Sequence, residues 1–398
     1  MGVVLAISAR AQSPLDPGLV QQANLLFENG TKGDHLGCTI HQKKPFLDFA
    51  FRFETGYSVQ CSLAEFEGRS TTMAILARVT PERGAPVLLE GFHRVPAAPP
   101  ETHSRWAARK SGSRVEGSGS FSIGEGRYLA EVMVRDNRGR MAVGRWRIKA
   151  TRNRQERTAP IAQPPMTVVP LVLRPWDGKL LAERSGYRLT VLLNAAPLDP
   201  RSFKLRVEDR VFLLAALTSL LQQVPCQSVR LVAFNLDQQR EVFRQERFDG
   251  SGFTGLSEAL RKLDLATISS VVLRNNWGWA QMLAGLVDRE VMAEDPSDAV
   301  VFLGPATRYW QHVPPKMLCS SQARKPLFFC FEYFPFRQGK GEFPDAIDRF
   351  TKAREGLVLR IHSPGEFAQG IQKLLLRLKP ADDATADMNS SAAPGSGE

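Results

Sequence analysis

Glu332 stands near the end of a strongly apolar run, Leu327–Phe334, beside Tyr333. A carboxyl group at the carboxyl end of a buried strand sits where open α/β sheets bind ligands. Burial there raises its pKa toward the range useful for proton transfer. Its blander use is to end the strand in solvent or to pair with an arginine. His362 follows the run Gly356–Ile361 and precedes Ser363-Pro364, a helix start. It too falls at a strand end, although a lone histidine is commonly structural. A hydrolase built on Glu332 and His362 would need both to converge in one concave pocket with Asn194 and Thr254. No Gly-x-Ser-x-Gly elbow, phosphate loop or His-Glu-x-x-His motif occurs in the sequence.

Five cysteines are present and no Cys-x-x-Cys pair, so zinc-ribbon and thioredoxin chemistry have no support. In an oxidising compartment Cys38 could pair with Cys61, and Cys319 with Cys330, leaving Cys226 over. The alternative for Cys330 is a buried thiol in its apolar strand. The formal charge is +11, and residues 101–160 hold 14 Arg and Lys against 6 Asp and Glu. That block, with Arg145, Arg147, Lys149, Arg152 and Arg154 at its centre, reads as a polyanion-binding surface or as a solvated sheet face running into a basic linker. Trp277-Gly278-Trp279 and Tyr309-Trp310 offer either an exposed contact patch or core packing.

These groups must be held by elements of two kinds. The chain of 398 residues is 43% hydrophobic and 23% charged, which suits two or three globular domains. No stretch is long and apolar enough to span a bilayer. Residues 1–11 read as a shortened secretory signal, Val3–Ile7 followed by Ala9-Arg10-Ala11, and imply export. Residues 12–35 carry a short helical lead-in. From 36 to 150 the pattern is one of short alternating runs, of which Phe46–Phe53 is the most apolar on one side. Tyr128–Arg135 and Met141–Lys149 form a hairpin joined by Asp136-Asn137-Arg138-Gly139. The further strands are expected at Tyr57–Leu63, Thr72–Val79, Pro86–Phe92 and Gly119–Ile123, with a long loop over Pro96–Ser118. Together they predict a β-sandwich of immunoglobulin-like type.

Residues 151–170 read as a Pro- and Arg-rich interdomain linker, and 380–398 as a disordered tail. Between them strands at Tyr187–Leu193, Ser228–Phe234, Glu241–Phe248, Ala299–Leu303, Leu327–Phe334 and Gly356–Ile361 alternate with helices at Val207–Val224, Leu256–Leu263, Trp277–Ala293 and from Ser363 to about Leu378. Alternation with continuously apolar strands predicts a doubly wound, mostly parallel α/β sheet covered on both faces.

The order of elements over Leu171–Lys379 resembles the von Willebrand factor type A domain. It is closest to the divergent kind in exported acidobacterial proteins, where a β-sandwich precedes it. Phe253-Thr-Gly-Leu-Ser-Glu-Ala-Leu260, the strand Asp298–Leu303 and the closing Val358-Leu-Arg-Ile-His-Ser-Pro-Gly-Glu-Phe367 carry the resemblance. That family holds a divalent cation through Asp-x-Ser-x-Ser after its first strand, a Thr in a later loop and an Asp after its fourth strand. A hard cation needs such anionic and hydroxyl oxygens. Here Asn194 replaces the Asp, Ala196 and Leu198 the two serines, and Gly304 the second Asp. Thr254 alone survives as a ligand, and Asp199-Pro200 reads as the turn into the next helix. The resemblance therefore implies a degenerate adhesion site with no metal and no cofactor.

The expected function is that of an exported, non-enzymatic interaction protein. It would bind a protein or a cell-envelope component through the strand-end face, at Asn194, Asp199, Thr254, Glu332 and His362. Export argues against nucleic acid as the partner. The sequence does not specify oligomeric state.

Overall fold

In a computed structural model of the chain, described at residues 4–6, 12–29, 34–66, 70–95, 114–171, 186–199, 202–266, 270–318, 326–334 and 344–379, the run Phe46–Phe53 is not one strand. Strand β3 (Cys38–Leu47) ends before Asp48, and β4 (Phe53–Ser62) begins after it. The Asp48 carboxylate accepts hydrogen bonds from the backbone N–H groups of Ala50 and Arg52, at 2.9 and 2.8 Å. Phe51 adopts φ +55° within the turn. An aspartate that bonds its own following backbone outcompetes the ladder, which the alternation of phenylalanines conceals.

The chain divides into two compact units, residues 1–154 with 160–172, and residues 155–159 with 173–398. The first holds two five-stranded sheets. One orders β1 (Val4–Ala6), β7 (Arg114–Ile123), β4 and β3, with β10 (Val168–Pro170) beside β7. The other orders β2 (Ser13–Pro14), β6 (Val87–Val95), β5 (Thr71–Pro81), β8 (Gly126–Arg135) and β9 (Met141–Ala150). Their inner faces meet: a Cβ on Gly117 would lie 3.7 Å from Ile75, and the Cys61 sulfur lies 3.9 Å from that of Met73. On β5 the inner residues Met73, Ile75, Ala77 and Val79 are fully buried, as the two-residue period of a strand requires. Helix α1 (Val20–Asn29) packs Ala23 and Phe27 with Leu88 and Met133.

Three readings change here. Residues 4–6, within the expected signal, form β1 and pair parallel with residues 114–116. Strand β7 takes in residues 114–118, assigned to the long loop, whose remainder lies outside the described residues. Residues 168–170, at the end of the expected linker, pair antiparallel with β7. The terminal tail also lies outside the described residues.

The second unit is built on β11 (Tyr187–Asn194), β12 (Cys226–Asn235), β13 (Arg240–Gln245), β14 (Ala299–Pro305), β15 (Leu327–Tyr333) and β16 (Leu357–Ile361). Its sheet runs β13-β12-β11-β14-β15-β16, parallel throughout except for the antiparallel edge strand β13. The helices are α2 (Val207–Gln223), α3 (Gly252–Lys262), α4 (Ser270–Arg274), α5 (Gly278–Val291), α6 (Pro315–Leu318), α7 (Ala346–Ala353) and α8 (Pro364–Leu378). Leu192, Phe302 and Cys330 pack under Leu283 of α5 and Phe350 of α7. Phe331 points the other way, onto Phe367 of α8. Every residue of β14 is buried, so the mixed, mostly parallel sheet is covered on both faces there, as its apolar strands require.

Charged groups also lie inside this unit, and Glu290 of α5 shows how one is held. Glu290, 1% exposed, accepts hydrogen bonds from Thr190 at 2.9 Å and from Arg230 at 2.6 Å. A buried carboxylate persists only with such partners.

Candidate functional site

The strand order reverses direction between β11 and β14, and in open α/β sheets the crevice at such a switch point binds ligands. Here side chains of the sheet itself close the crevice. Asn194, the last residue of β11, donates its Nδ2 to the Pro305 carbonyl at 2.9 Å. Asn235, the last of β12, donates to the Ala195 carbonyl at 2.7 Å. Asp209, in the first turn of α2, accepts from the N–H groups of Leu198 and Arg206 at 2.9 and 2.7 Å. Gly304 has φ +149°, and a Cβ on it would lie 2.8 Å from the Asn194 carbonyl oxygen. A cavity of about 20 Å³ remains, lined by Asn194, Ala196, Asn235 and Thr307 among others. That is room for about one water molecule, not for a metabolite.

The residues at this position do not fit the divalent cation of the family they resemble. Asn194 offers one amide oxygen, its nitrogen being spent on Pro305. Gly304 leaves no space for a carboxylate side chain. Thr254 is exposed on α3 and does not line the crevice. Asp199 makes a turn, its carbonyl accepting from the Ser202 N–H at 2.9 Å.

Beside the crevice opens a groove of about 600 Å³. Asp237, Arg308 and Tyr309 line both. The Asp237 carboxylate accepts from Arg308 at 2.9 Å and from the Tyr309 hydroxyl at 2.8 Å. Burial and Asp237 together push the Tyr309 hydroxyl well above its ordinary pKa. The groove floor is aromatic. Tyr309 stacks on Trp279 with centroids 4.9 Å apart, and Trp279 meets Trp277 at 5.9 Å. The two sequence alternatives for these aromatics both occur: Trp279 is in the core, while Trp277 is 37% and Trp310 58% exposed.

A second constellation lies under α7. Glu332 at the end of β15, Asp345 capping α7 and Asp348 in its first turn are all buried, with oxygens within 4.8 Å of one another. Asp345 accepts from the N–H groups of Thr307 and Asp348 at 2.6 and 2.9 Å. Arg360 lies 3.7 Å from Glu332 and 3.6 Å from Asp348. Burial, reinforced by Asp345 and Asp348 against the opposing Arg360, pushes the Glu332 carboxyl up to about 10. Burial and Asp345 push Asp348 up to about 6, and burial raises Asp345. Three carboxyls with one guanidinium can balance charge by keeping protons or by holding a cation. Arg360 supplies one positive charge, and burial, which raises all three carboxyls, favours protons for the rest.

The sequence singled out Glu332 but not its partners. Asp345, three residues before Asp348 at a helix start, carried a capping signal. The His362 ring lies against Phe334 at 5.5 Å, and its backbone N–H bonds Glu366 at 2.6 Å. Of Asn194, Thr254, Glu332 and His362, Asn194 alone lines the crevice cavity. Cys38 and Cys61 stand opposite each other on β3 and β4 and are disulfide-bonded. Cys226 and Cys330 are buried thiols, raised by burial, and Cys319 lies outside the described residues. In the basic block, Arg145 pairs with the buried Glu131 and Arg152 with Glu125. Arg147, Lys149 and Arg154 are exposed.

No family model matches the sequence, and no curated protein matches it. Solved structures resemble the chain only remotely. The putative ApaA protein from Bordetella pertussis is 9% identical, covers 30% of this chain and 99% of its own, and superposes with a TM-score of 0.18. A β-glucuronidase from Bacteroides uniformis is 10% identical over 76% of this chain and 36% of its own, also at 0.18. β-Glucuronidase 2 of that organism gives 8%, 76%, 37% and 0.18. The chain thus spans little more than a third of either glucuronidase, and these likenesses carry no inference about it.

Proposed function

We propose that this is an exported, non-enzymatic interaction protein that uses the strand-end face of a metal-free, von Willebrand type A-like unit to bind a protein or cell-envelope component. The sheet order, with its single antiparallel edge strand, supports the type A-like reading. The two face-packed sheets of the first unit support the immunoglobulin-like one. The Cys38–Cys61 bond suits an oxidising compartment.

The observation that carries the proposal is the contrast at the strand ends. The crevice at the switch point is closed to all but about one water, while a broad, open groove lies beside it. A closed crevice does not suit a small substrate. An open groove with an exposed indole suits a partner that stays largely outside the fold.

Affinity capture from the native envelope, comparing the chain with a Trp277→Ala, Arg308→Ala variant, tests this. Retention of an envelope component by the native chain and its loss by the variant is the expected result. Equal retention by both would move the interaction away from this face.

The exposed cations of β9 support a second reading, a polyanion contact through Arg147 and Lys149. The pairing of Arg145 with Glu131, which Arg78 shares, and of Arg152 with Glu125 leaves it the weaker one.

A further inference from the structure

Trp277 precedes α5, lines the groove and is 37% exposed, with its ring 5.9 Å from that of the buried Trp279 and tilted 37° to it. Asn276 and Gln311, both exposed, line the groove as well. Their carboxamides can each donate and accept. The remaining polar chemistry is neutral as a set, because Asp237 and Arg308 form an ion pair at 2.7 Å.

The geometry points to a binding site for a neutral oligosaccharide, with one sugar ring stacked on the open face of Trp277 and its hydroxyls held by Asn276 and Gln311. This rests on reading the strand-end face as the interaction surface and names its ligand class.

Four features select that ligand. A pyranose presents an apolar C–H face, which matches the flat indole. Its hydroxyls are donors and acceptors at once, which carboxamides match and ammonium or carboxylate groups do not. The mutual neutralisation of Asp237 and Arg308 removes the field that would select a charged ligand. At about 600 Å³ the groove falls within the size range of ligand sites.

The same lining argues for binding without cleavage. Glycoside hydrolysis uses a pair of carboxyl groups flanking the bond. Among the described residues lining the groove, Asp237 is the one carboxylate, and Arg308 and Tyr309 occupy it. A proline-rich peptide is the nearest competitor, since such segments dock on aromatic grooves. That mode needs several open aromatic ridges; here Trp279 is buried and Tyr309 is stacked on it.

The test is calorimetry and tryptophan fluorescence on the full chain with cellohexaose, chitohexaose, xylohexaose and mannohexaose, and with a decaproline peptide. At least one hexasaccharide is expected to bind with a Kd of about 1 mM or tighter and to shift the indole emission. Trp277→Ala should weaken it about tenfold or more, and Asn276→Ala or Gln311→Ala about threefold or more. Raising salt should leave binding unchanged. Failure of every hexasaccharide, or undiminished binding by a folded Trp277→Ala variant, overturns the assignment. Should that variant not fold, undiminished binding by both amide variants overturns it. Decaproline binding lost in Trp277→Ala overturns the saccharide but keeps the interaction face. Failure of hexasaccharides, peptide and envelope capture together overturns both.

Discussion

Asn194 and Gly304 approach so closely at the ends of β11 and β14 that a Cβ on Gly304 would lie 2.8 Å from the Asn194 carbonyl oxygen. The two positions where the resembled family places aspartates are thus coupled. One carries an amide bonded across the sheet to Pro305. The other must be glycine, both for space and because φ +149° disfavours any side chain. The departure from a cation site is built into the backbone.

Restoring the carboxylates should therefore not restore a metal. Gly304→Ala is expected to cost about 1–3 kcal/mol from strain, seen as a lower Tm. Asn194→Asp with Gly304→Asp should lose more and take up no Mg²⁺ or Mn²⁺ at micromolar concentration in calorimetry. Micromolar uptake by this variant, or by the native chain, would defeat the metal-free account.

Glu332 gives a pH dependence of definite sign. The folded state raises Glu332 to about 10 and Asp348 to about 6, above the ordinary carboxyl range near 4. The native state therefore binds more protons than the unfolded one. The associated stability is complete below about pH 4 and falls as pH rises through 6 toward 10. Glu332→Gln should raise Tm at pH 8 by about 2–4 °C, corresponding to about 1 kcal/mol, and flatten the slope between pH 6 and 10. A lower Tm for Glu332→Gln in millimolar Ca²⁺ or Mg²⁺, with the native chain stabilised by the same ion, would replace protons by a cation at this cluster.

This cluster also shows where the sequence stopped being legible. Glu332 was visible because a carboxylate in Leu327–Phe334 breaks an apolar run. Strands β14 and β15 were visible for the complementary reason, that central strands are apolar nearly throughout. Asp345, Asp348 and Arg360 meet Glu332 only after β15, α7 and β16 have packed, and no local spacing encodes that meeting. The turn at Asp48 was missed differently. A single side chain bonding its own backbone overrode an alternation that otherwise reads as strand. The groove escaped for the first reason: Trp277 and Tyr309 lie on separate elements, and only the fold decides which aromatic is left open.

The Cys38–Cys61 bond closes a sequence separation of 23 residues between neighbouring strands. Loop-closure entropy for such a loop is worth about 3 kcal/mol. Replacing both cysteines by serine should lower the unfolding transition of the first unit by about that amount. The second unit, whose cysteines among the described residues are buried thiols, should be unmoved by reductant. A single transition shifted as a whole, followed by calorimetry, would show that the two units do not unfold independently.

Among the described residues, the cations of β9 together with Arg154 set the expected salt dependence of polyanion binding. Arg145, Arg147 and Lys149 alternate along the strand, so all three face the same way. Arg145 is bonded to Glu131, which lies buried and is also held by Arg78. These partners keep the Glu131 carboxyl below its ordinary pKa despite its burial, so its charge persists at neutral pH and Arg145 remains committed to it. Among the described cations at the centre of the basic block, Arg147, Lys149 and Arg154 are left. Each neutralised phosphate or sulfate contributes about −0.7 to −0.9 to the slope of log affinity against log salt. A slope no steeper than about −3 is therefore expected for heparin, with most of it removed by Arg147→Glu and Lys149→Glu. A slope of about −6 or steeper, the signature of many simultaneous contacts, would make the polyanion reading the primary one.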